Sequence, residues 1–352
     1  MQADQVRGFL QVGAYDESGR ASGPLATDAG GLDIQQAFVE LKPRTGSRPG
    51  IRLGRQEMTL GSSRFVASRE GLNIRRSFDG LRLLYPSTNV DIDAFAMRPV
   101  SNRPDAFDDR ADDHQAFWGV YAVIRRRTGP SIDLYYLGLE RDQAVFASRS
   151  GHEARHSIGA RLWGRKERFD YNLEGAYQLG SLEDLDIRAF ALSADIGWSL
   201  ETLPLRPRLG LKGNIESGDR KTSDQELNTF NPLFPNHAYF SEATFGAPMN
   251  GIDLQPNLTL HLAENLSLTT GVDAFWRASR QDAVYNAALQ PFPIAPGGDR
   301  FVGAMFVAHL RWRLGRHIEL NTEYAAFRVG DAIHAAGGKN SDFLMVSAAY
   351  RF

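Results

Sequence analysis

Apolar and polar residues alternate through this 352-residue chain from end to end, and helical periodicity is almost absent. The clearest case closes the chain. Residues 343–352 read FLMVSAAYRF, with Leu344, Val346, Ala348, Tyr350 and Phe352 in one apolar row. A period of two marks a strand with one apolar face. Such segments fall near 5–15, 33–42, 50–58, 78–86, 88–98, 115–126, 130–140, 154–165, 168–180, 186–199, 205–217, 252–262, 265–278, 300–314, 316–328 and 342–352. That is about sixteen strands, many long enough to cross a bilayer at a tilt.

The connections between them tend to alternate in length. Short ones fall at 42–50, 86–88, 127–130, 166–167, 201–204, 263–265 and 315–316. Long ones fall at 16–32, 59–77, 100–114, 142–153, 181–185, 218–251, 279–299 and 330–341, with 42–50 long for a turn and 181–185 short for a loop. An outer-membrane β-barrel has tight periplasmic turns and long outer loops, whereas a soluble sandwich has no reason to sort loop length by parity. The last strand then ends on the periplasmic side, where it is expected to pair with the first so that no edge faces lipid. Aromatic residues agree: Trp198, Trp312, Tyr350 and Phe352 fall at periplasmic ends of apolar rows, and Trp118 and Trp276 at outer ends. The fold class expected is therefore all-β, a single antiparallel transmembrane barrel over 1–352.

Composition adds limits. The net charge of −2 argues against a nucleic-acid partner held by phosphate attraction, and the absence of Cys fits an envelope protein without disulfides. No run of 18 apolar residues marks a transmembrane helix. No signal peptide precedes the first strand-like segment, so an export signal is expected to have been removed or the chain to be shortened at its N-terminus. Of 40 basic residues, 35 are Arg and 5 are Lys. Arg offers a planar fork for carboxylates, although a GC-rich genome gives the same skew.

Three stretches carry a resemblance: Leu53-Gly54-Arg55-Gln56-Glu57 followed by SREGLNIRRSFDGL at 68–81, the segment Asp33 to Leu41, and Phe230-Asn231-Pro232-Leu233-Phe234-Pro235. Together with the final aromatic strand they resemble the alginate-export family of outer-membrane barrels, over essentially the whole chain. The resemblance implies a barrel of about eighteen strands, of which one or two N-terminal ones are missing here. It also implies a bacterial outer-membrane channel with an Arg-containing lumen that passes an anionic polysaccharide or oligosaccharide by passive diffusion. Periplasmic export proteins would then be partners, with lipid around a monomeric barrel. A general or solute-specific porin for uptake of small anionic or polar solutes is the alternative.

The row opposite the apolar one should face the lumen. Its basic candidates are Arg52, Arg82, Arg161, Arg208, Lys212, Arg277, Arg311, Arg313 and Arg351. Its acidic candidates are Glu40, Asp91, Asp93, Asp133, Glu174, Asp195, Asp273, Glu319 and Glu323, so selectivity does not follow from counting. Ion pairs that merely hold the wall in shape would use the same residues. Arg311 and Arg313 stand two apart on one face, about 7 Å from the strand rise. Arg55 falls in the lipid-facing row with Ile51 and Leu53, where charge is costly, and a bulge at Gly54 is expected to turn it inward.

The connection 218–251 is long, and Phe230, Asn231, Pro232, Phe234 and Tyr239 give it a stiff, apolar centre. It folds over the mouth or into the lumen as a gate, or packs as an ordinary exposed loop. Asp105, Asp108, Asp109, Asp112 and Asp113 cluster in another loop without the spacing of an EF-hand, and read as a solvated acidic loop rather than a Ca²⁺ site. The eight His show no metal spacing, and no G-x-S-x-G, P-loop or dinucleotide motif occurs. No cofactor, metal or enzymatic activity is expected.

Overall fold

The computed structural model describes the chain except for residues 1, 4, 21, 22, 44–48, 70, 148, 237, 293 and 295. Sixteen long strands follow one another. They are β1 (Val6–Tyr15), β2 (Gly30–Leu41), β3 (Gly50–Glu57), β4 (Ser77–Tyr85), β5 (Val90–Ser101), β6 (Gln115–Ile124), β7 (Ser131–Phe146) and β8 (Arg149–Lys166). Then come β9 (Phe169–Leu182), β10 (Leu185–Ser199), β11 (Arg208–Glu216), β12 (Gly251–Ala263), β13 (Leu266–Arg277), β14 (Phe301–Leu314), β15 (Ile318–Val329) and β16 (Ser341–Tyr350). Each pairs antiparallel with the next, as in a chain of hairpins. One short helix, α1 (Asp331–Ala335), lies between β15 and β16.

The outward row is apolar and exposed, with Leu10, Leu53, Ile158, Leu192, Leu209, Leu344 and Val346 among its members. Water would penalise so continuous an apolar surface, whereas a bilayer solvates it. At the periplasmic end Trp198, Trp312, Tyr350 and Phe352 are exposed in that row. At the other end Trp276 packs on Phe301 at 5.9 Å.

Two expectations about connections change. Residues 142–153 form no long loop, because β7 and β8 run on and leave only 147–148 between them. These strands continue past the apolar band, where polar outward residues look like loop. The 201–204 turn spans 200–207 instead. The 42–50 turn falls largely outside the described residues.

The ends also differ from expectation. Among the described residues no ladder joins β16 to β1, and the strand expected to close the sheet pairs only with β15. At the other edge, Gln2–Ala3 turns back on Val6 and Arg7.

The core lies inside the sheet rather than between layers. Inward side chains Phe78, Phe95, Met97, Phe117, Tyr135, Leu137 and Leu139 bury themselves against Met58, Leu60, Phe65 and Val66 of the β3–β4 loop. Phe230, Leu233 and Phe234 of the β11–β12 loop complete the cluster. A second cluster joins Phe146, Leu182 and Ile187 to Leu227, Met249 and Tyr285.

Candidate functional site: the barrel interior

The interior wall is built by the pleat, which alternates charged inward residues with the exposed apolar row. Pairing register then sets which charges meet. Glu40 stands opposite Arg52, and Arg52 opposite Arg82. Arg52 reaches Glu40 at 2.6 Å and lies 4.3 Å over the Phe38 ring. Arg82 donates to Asp93 from Nε at 2.8 Å. Arg161 pairs with Asp133 at 3.0 Å and donates to Asn172 at 2.7 Å, while Asp133 also accepts from Tyr121 and from Trp163 Nε1. Arg208 donates to Asp170 from Nε at 3.0 Å and approaches Asp195 at 3.4 Å. Arg311 pairs with Glu319 at 2.7 Å. Most of the arginines expected in the lumen are thus matched with wall carboxylates.

The Arg208 guanidinium occupies the space beside the neighbouring inward position, Gly197, which has no side chain. A Cβ there would sit 2.1 Å from Arg208 Cζ. Gly197→Ala should therefore push the Arg208 guanidinium off Asp170, at a small cost in stability because a flexible side chain can move aside, read as a slightly lower unfolding temperature and a changed conductance. An unchanged temperature and conductance would contradict this packing.

Three cations differ. Lys212 donates to the Tyr239 carbonyl at 3.0 Å and sits 4.6 Å over the Tyr239 ring, with no carboxylate within ion-pair distance among the described residues. The Arg313 and Arg351 side chains likewise form no ion pair there, although Arg313 faces Glu319 in register.

Two sequence expectations are corrected. Arg277 is fully buried and donates to the carbonyls of Asp299, Arg280 and Asp282 at 2.6, 3.2 and 3.3 Å, so it anchors the 278–300 loop and does not line a path. Arg55 is not turned inward, because the register runs through Gly54 unbroken and forms no bulge. Arg55 is instead met by Asp79 directly opposite at 2.9 Å, with Asp33 at 3.8 Å, so a cross-strand partner offsets the charge. Gly54 serves a different need: its φ is +123°, and a Cβ would lie 2.3 Å from the Ala37 carbonyl.

The acids of the β5–β6 loop separate into different roles. Asp109 accepts from Asn102 and from the Arg103 amide, Asp112 from Gln115, and Asp113 pairs with Arg98. Asp108 and Asp109 approach Asp33 of β2, and the Asp109 amide donates to Asp33 at 2.9 Å.

Two loops cross the interior. The β11–β12 loop leaves β11 and first runs parallel to β10, with Glu226 and Leu227 beside Asp186 and Ile187. It is then fastened by buried polar groups that sequence reasoning missed. Arg155 is fully buried and donates to Glu153 at 2.6 Å, to Gln178 at 2.7 Å and to the Thr229 carbonyl at 3.2 Å. Gln178 accepts from the Asn231 amide and donates to its carbonyl. Further on, Phe234 meets Phe78 and Phe117 edge-on at 5.2 and 4.9 Å. Phe240 then meets Phe275 of β13, and Phe245 meets Phe327 of β15. The loop therefore touches walls far apart around the sheet.

The β3–β4 loop meets it midway. The amide of Ala67 donates to the Phe234 carbonyl and that of Phe234 to the Phe65 carbonyl, both at 2.9 Å. Its tip reaches the opposite wall, where Ser62 and Arg64 engage Glu174 at 2.5 and 3.5 Å and Arg64 donates to Asn214 at 3.3 Å. Near its return, burial lowers the Arg69 guanidinium to about 10, with Asp28 opposing. Burial, then the Arg69 charge, hold Arg76 well below the ordinary arginine range. The apolar residues Leu60, Phe65, Val66 and Ile74 in a long connection were the available sign of this second inward loop.

Between the loops and the periplasmic end, a polar cavity of about 310 Å³ lies against β10–β15, lined by Arg208 and Lys212, by the carboxylates Asp195 and Glu323, and by Phe240 and Asn257 among others.

A large antiparallel sheet with a lipid-facing apolar row and a charged interior crossed by loops defines an outer-membrane β-barrel channel. The chain belongs to the alginate export family, whose model matches residues 2–347. Its place is the bacterial outer membrane. The solved structure of Pseudomonas aeruginosa OccK11 (OpdR) is similar, with 16% identity and a TM-score of 0.59, over 99% of this chain and 90% of that one. Acinetobacter baumannii OccAB3 gives 10% identity and a TM-score of 0.62, over 92% and 79%. Pseudomonas aeruginosa OccK2 (OpdF), solved in complex with glucuronate, gives 12% and 0.58, over 93% and 84%. At these identities the likeness is one of fold. Comparison with curated proteins gave no match.

Proposed function

We propose that this channel passes small anionic saccharides by passive diffusion along the β10–β15 wall, with the two inward loops restricting the rest of the interior. One observation carries the reading. On this wall Lys212 and Arg313 form no ion pair in contact distance among the described residues, although Asp195 and Glu319 stand opposite them in register, whereas Arg52, Arg82 and Arg161 on other strands are each ion-paired. A fixed charge left out of ion-pair contact beside a narrow, low-dielectric wall attracts counter-ions. Arg311, whose own side chain remains half-exposed, extends the basic row toward the periplasm. Phe230, Asn231, Pro232, Phe234 and Tyr239 belong to the segment that sets the width, and an oligosaccharide or polymer of the same chemistry requires that segment to move aside. The glucuronate complex of OccK2 supports an acidic sugar as the solute to try first.

Reversal potentials across a KCl gradient test this. The channel should prefer anions, and Arg311→Gln with Arg313→Gln should bring the permeability ratio toward unity. Cation preference in the unaltered protein, or a ratio unmoved by the double change, overturns the reading. Liposome swelling with glucuronate against uronate oligomers separates a small-solute channel from a polymer exporter.

A further inference from the structure

A second cavity, of about 60 Å³, lies between the β11–β12 loop and the β11–β15 wall. Of the described residues, only Phe240 lines both it and the larger polar cavity. Its charged lining has one sign. Glu216 and Asp253 reach it, and among the described residues no Lys, Arg or His does. Glu216 is 2% exposed, and its Oε2 takes part in no hydrogen bond among the described residues. That oxygen lies over Gly251, another lining residue, where a Cβ would be 3.0 Å away. Asp253 is also buried and accepts from Asn214 Nδ2 at 2.8 Å on each oxygen, which leaves both with further acceptor capacity. Asp273, on the same inward row as Phe275, is fully buried with neither oxygen bonded among the described residues. Arg64 and Lys212 are committed elsewhere, to Glu174 and Asn214 and to the Tyr239 carbonyl, and neither forms an ion pair with Glu216 or Asp253 among the described residues. Beside the two carboxylates the cavity is aromatic. Phe240, Phe275, Phe327 and Phe245 form a continuous chain of rings, with successive centroids 5.0, 6.0 and 5.2 Å apart.

A buried carboxylate without a partner is strongly disfavoured until a proton or a cation meets it. A proton answers the charge alone. A cation that carries an alkyl group answers the charge and the rings, whose faces attract positive charge and whose carbon surface takes the alkyl chain. The unbonded acceptor selects further, because a primary ammonium can donate to both carboxylates and a quaternary one cannot. At roughly 10–15 Å³ for each water-sized group, the cavity takes about four such groups, the size of a propylammonium ion. We infer that this cavity is a binding site for a small primary alkylammonium ion, with Glu216 and Asp253 taking the ammonium and Phe240, Phe245, Phe275 and Phe327 the alkyl chain. Two of these rings come from the β11–β12 loop and two from β13 and β15, so the occupant also holds the loop against the wall. The site is separate from the anion path and does not depend on which solute that path carries.

Calorimetric titration of the full chain in detergent with propylammonium chloride tests the site, with ammonium, sodium and tetramethylammonium chlorides at equal ionic strength beside it. Propylammonium should bind saturably at one site and raise the unfolding temperature, at concentrations where sodium and tetramethylammonium do neither. Glu216→Gln keeps the size of the side chain and removes its charge. It should weaken propylammonium about ten-fold or more, the size of one lost hydrogen bond to a charged group. Phe327→Leu, placed on the wall rather than the loop, should weaken propylammonium several-fold and leave ammonium as it was. Heat-modifiable gel migration shows that each variant retains its barrel. Absence of saturable binding by propylammonium overturns the site, as does an equal response to sodium. Affinity unmoved by Glu216→Gln in a folded barrel, or equal weakening of ammonium and propylammonium by Phe327→Leu, overturns it as well.

Discussion

Arg155→Ala is expected to free the β11–β12 loop from its seat and raise single-channel conductance several-fold, with a marked fall in unfolding temperature. Arg155 has no solvent exposure, and its guanidinium holds Glu153, Gln178 and the Thr229 carbonyl together. It also lies 5.3 Å over the Phe146 ring. Removing it leaves Glu153, itself fully buried, with Arg141 as its remaining cation, and strips Gln178 of one anchor. Breaking a buried pair from one side typically costs about 3–5 kcal/mol, since the other charge stays desolvated. The loop can escape that cost by leaving the interior, which is why conductance should rise. Planar-bilayer recording and heat-modifiable gel migration read the two effects. Replacing Glu153 and Arg155 together should recover part of the stability but not the loop's position. If conductance is unchanged while stability falls, the triad braces the wall and does not hold the loop.

Phe234→Ala should have the second largest effect. Phe234 packs edge-on against Phe78 and Phe117 from two strands, lies 5.3 Å from the Arg76 guanidinium, and shares its backbone bonds with Phe65 and Ala67. Truncating a buried phenylalanine costs about 3–5 kcal/mol, the spread depending on how far the site collapses. Here the surroundings are the wall and the other inward loop, so a collapsed site also loosens the contact between the two loops. Flickering between at least two conductance levels is expected where the unaltered protein shows one. Combination with Phe65→Ala should be less than additive, because both side chains serve the same junction. Strict additivity and a steady current would show that the loops act separately.

Particular residues show how much was readable beforehand. The strands were legible because the apolar row repeats with a period the bilayer enforces, and Leu344, Val346 and Tyr350 carry it to the last residues. The pairing of charges was not, since it depends on register. Glu40 and Arg52 stand 12 residues apart on the two sides of one hairpin, and only the register of the ladder sets them opposite each other. Arg55 was read as a problem for one strand, and its solution, Asp79, stands on the next. Arg155 shares a row with Arg161, but it sits where the strand was expected to begin, above the membrane band, and so drew no notice. The sequence does not choose among the three courses open to the β11–β12 loop. Loop residues obey no period, and their apolar content signals burial without direction.

The meeting of the two loops also orders events during folding. Arg76 donates to the Pro235 carbonyl across 159 residues of chain, so the junction cannot form until the β11–β12 region has been made and put in place. Closing so large a span is slow, because its entropy must be lost before any contact repays it. Until then Phe78, Phe95 and Phe117 line a half-built trough covered only by the β3–β4 loop. The growing barrel thus exposes apolar surface on both faces, one destined for lipid and one for its own loop. Only the first is relieved by insertion. The second calls for a holding factor in the periplasm or for rapid completion of the C-terminal strands, and protease protection of Phe65 and Phe234 should be among the last features to appear during refolding.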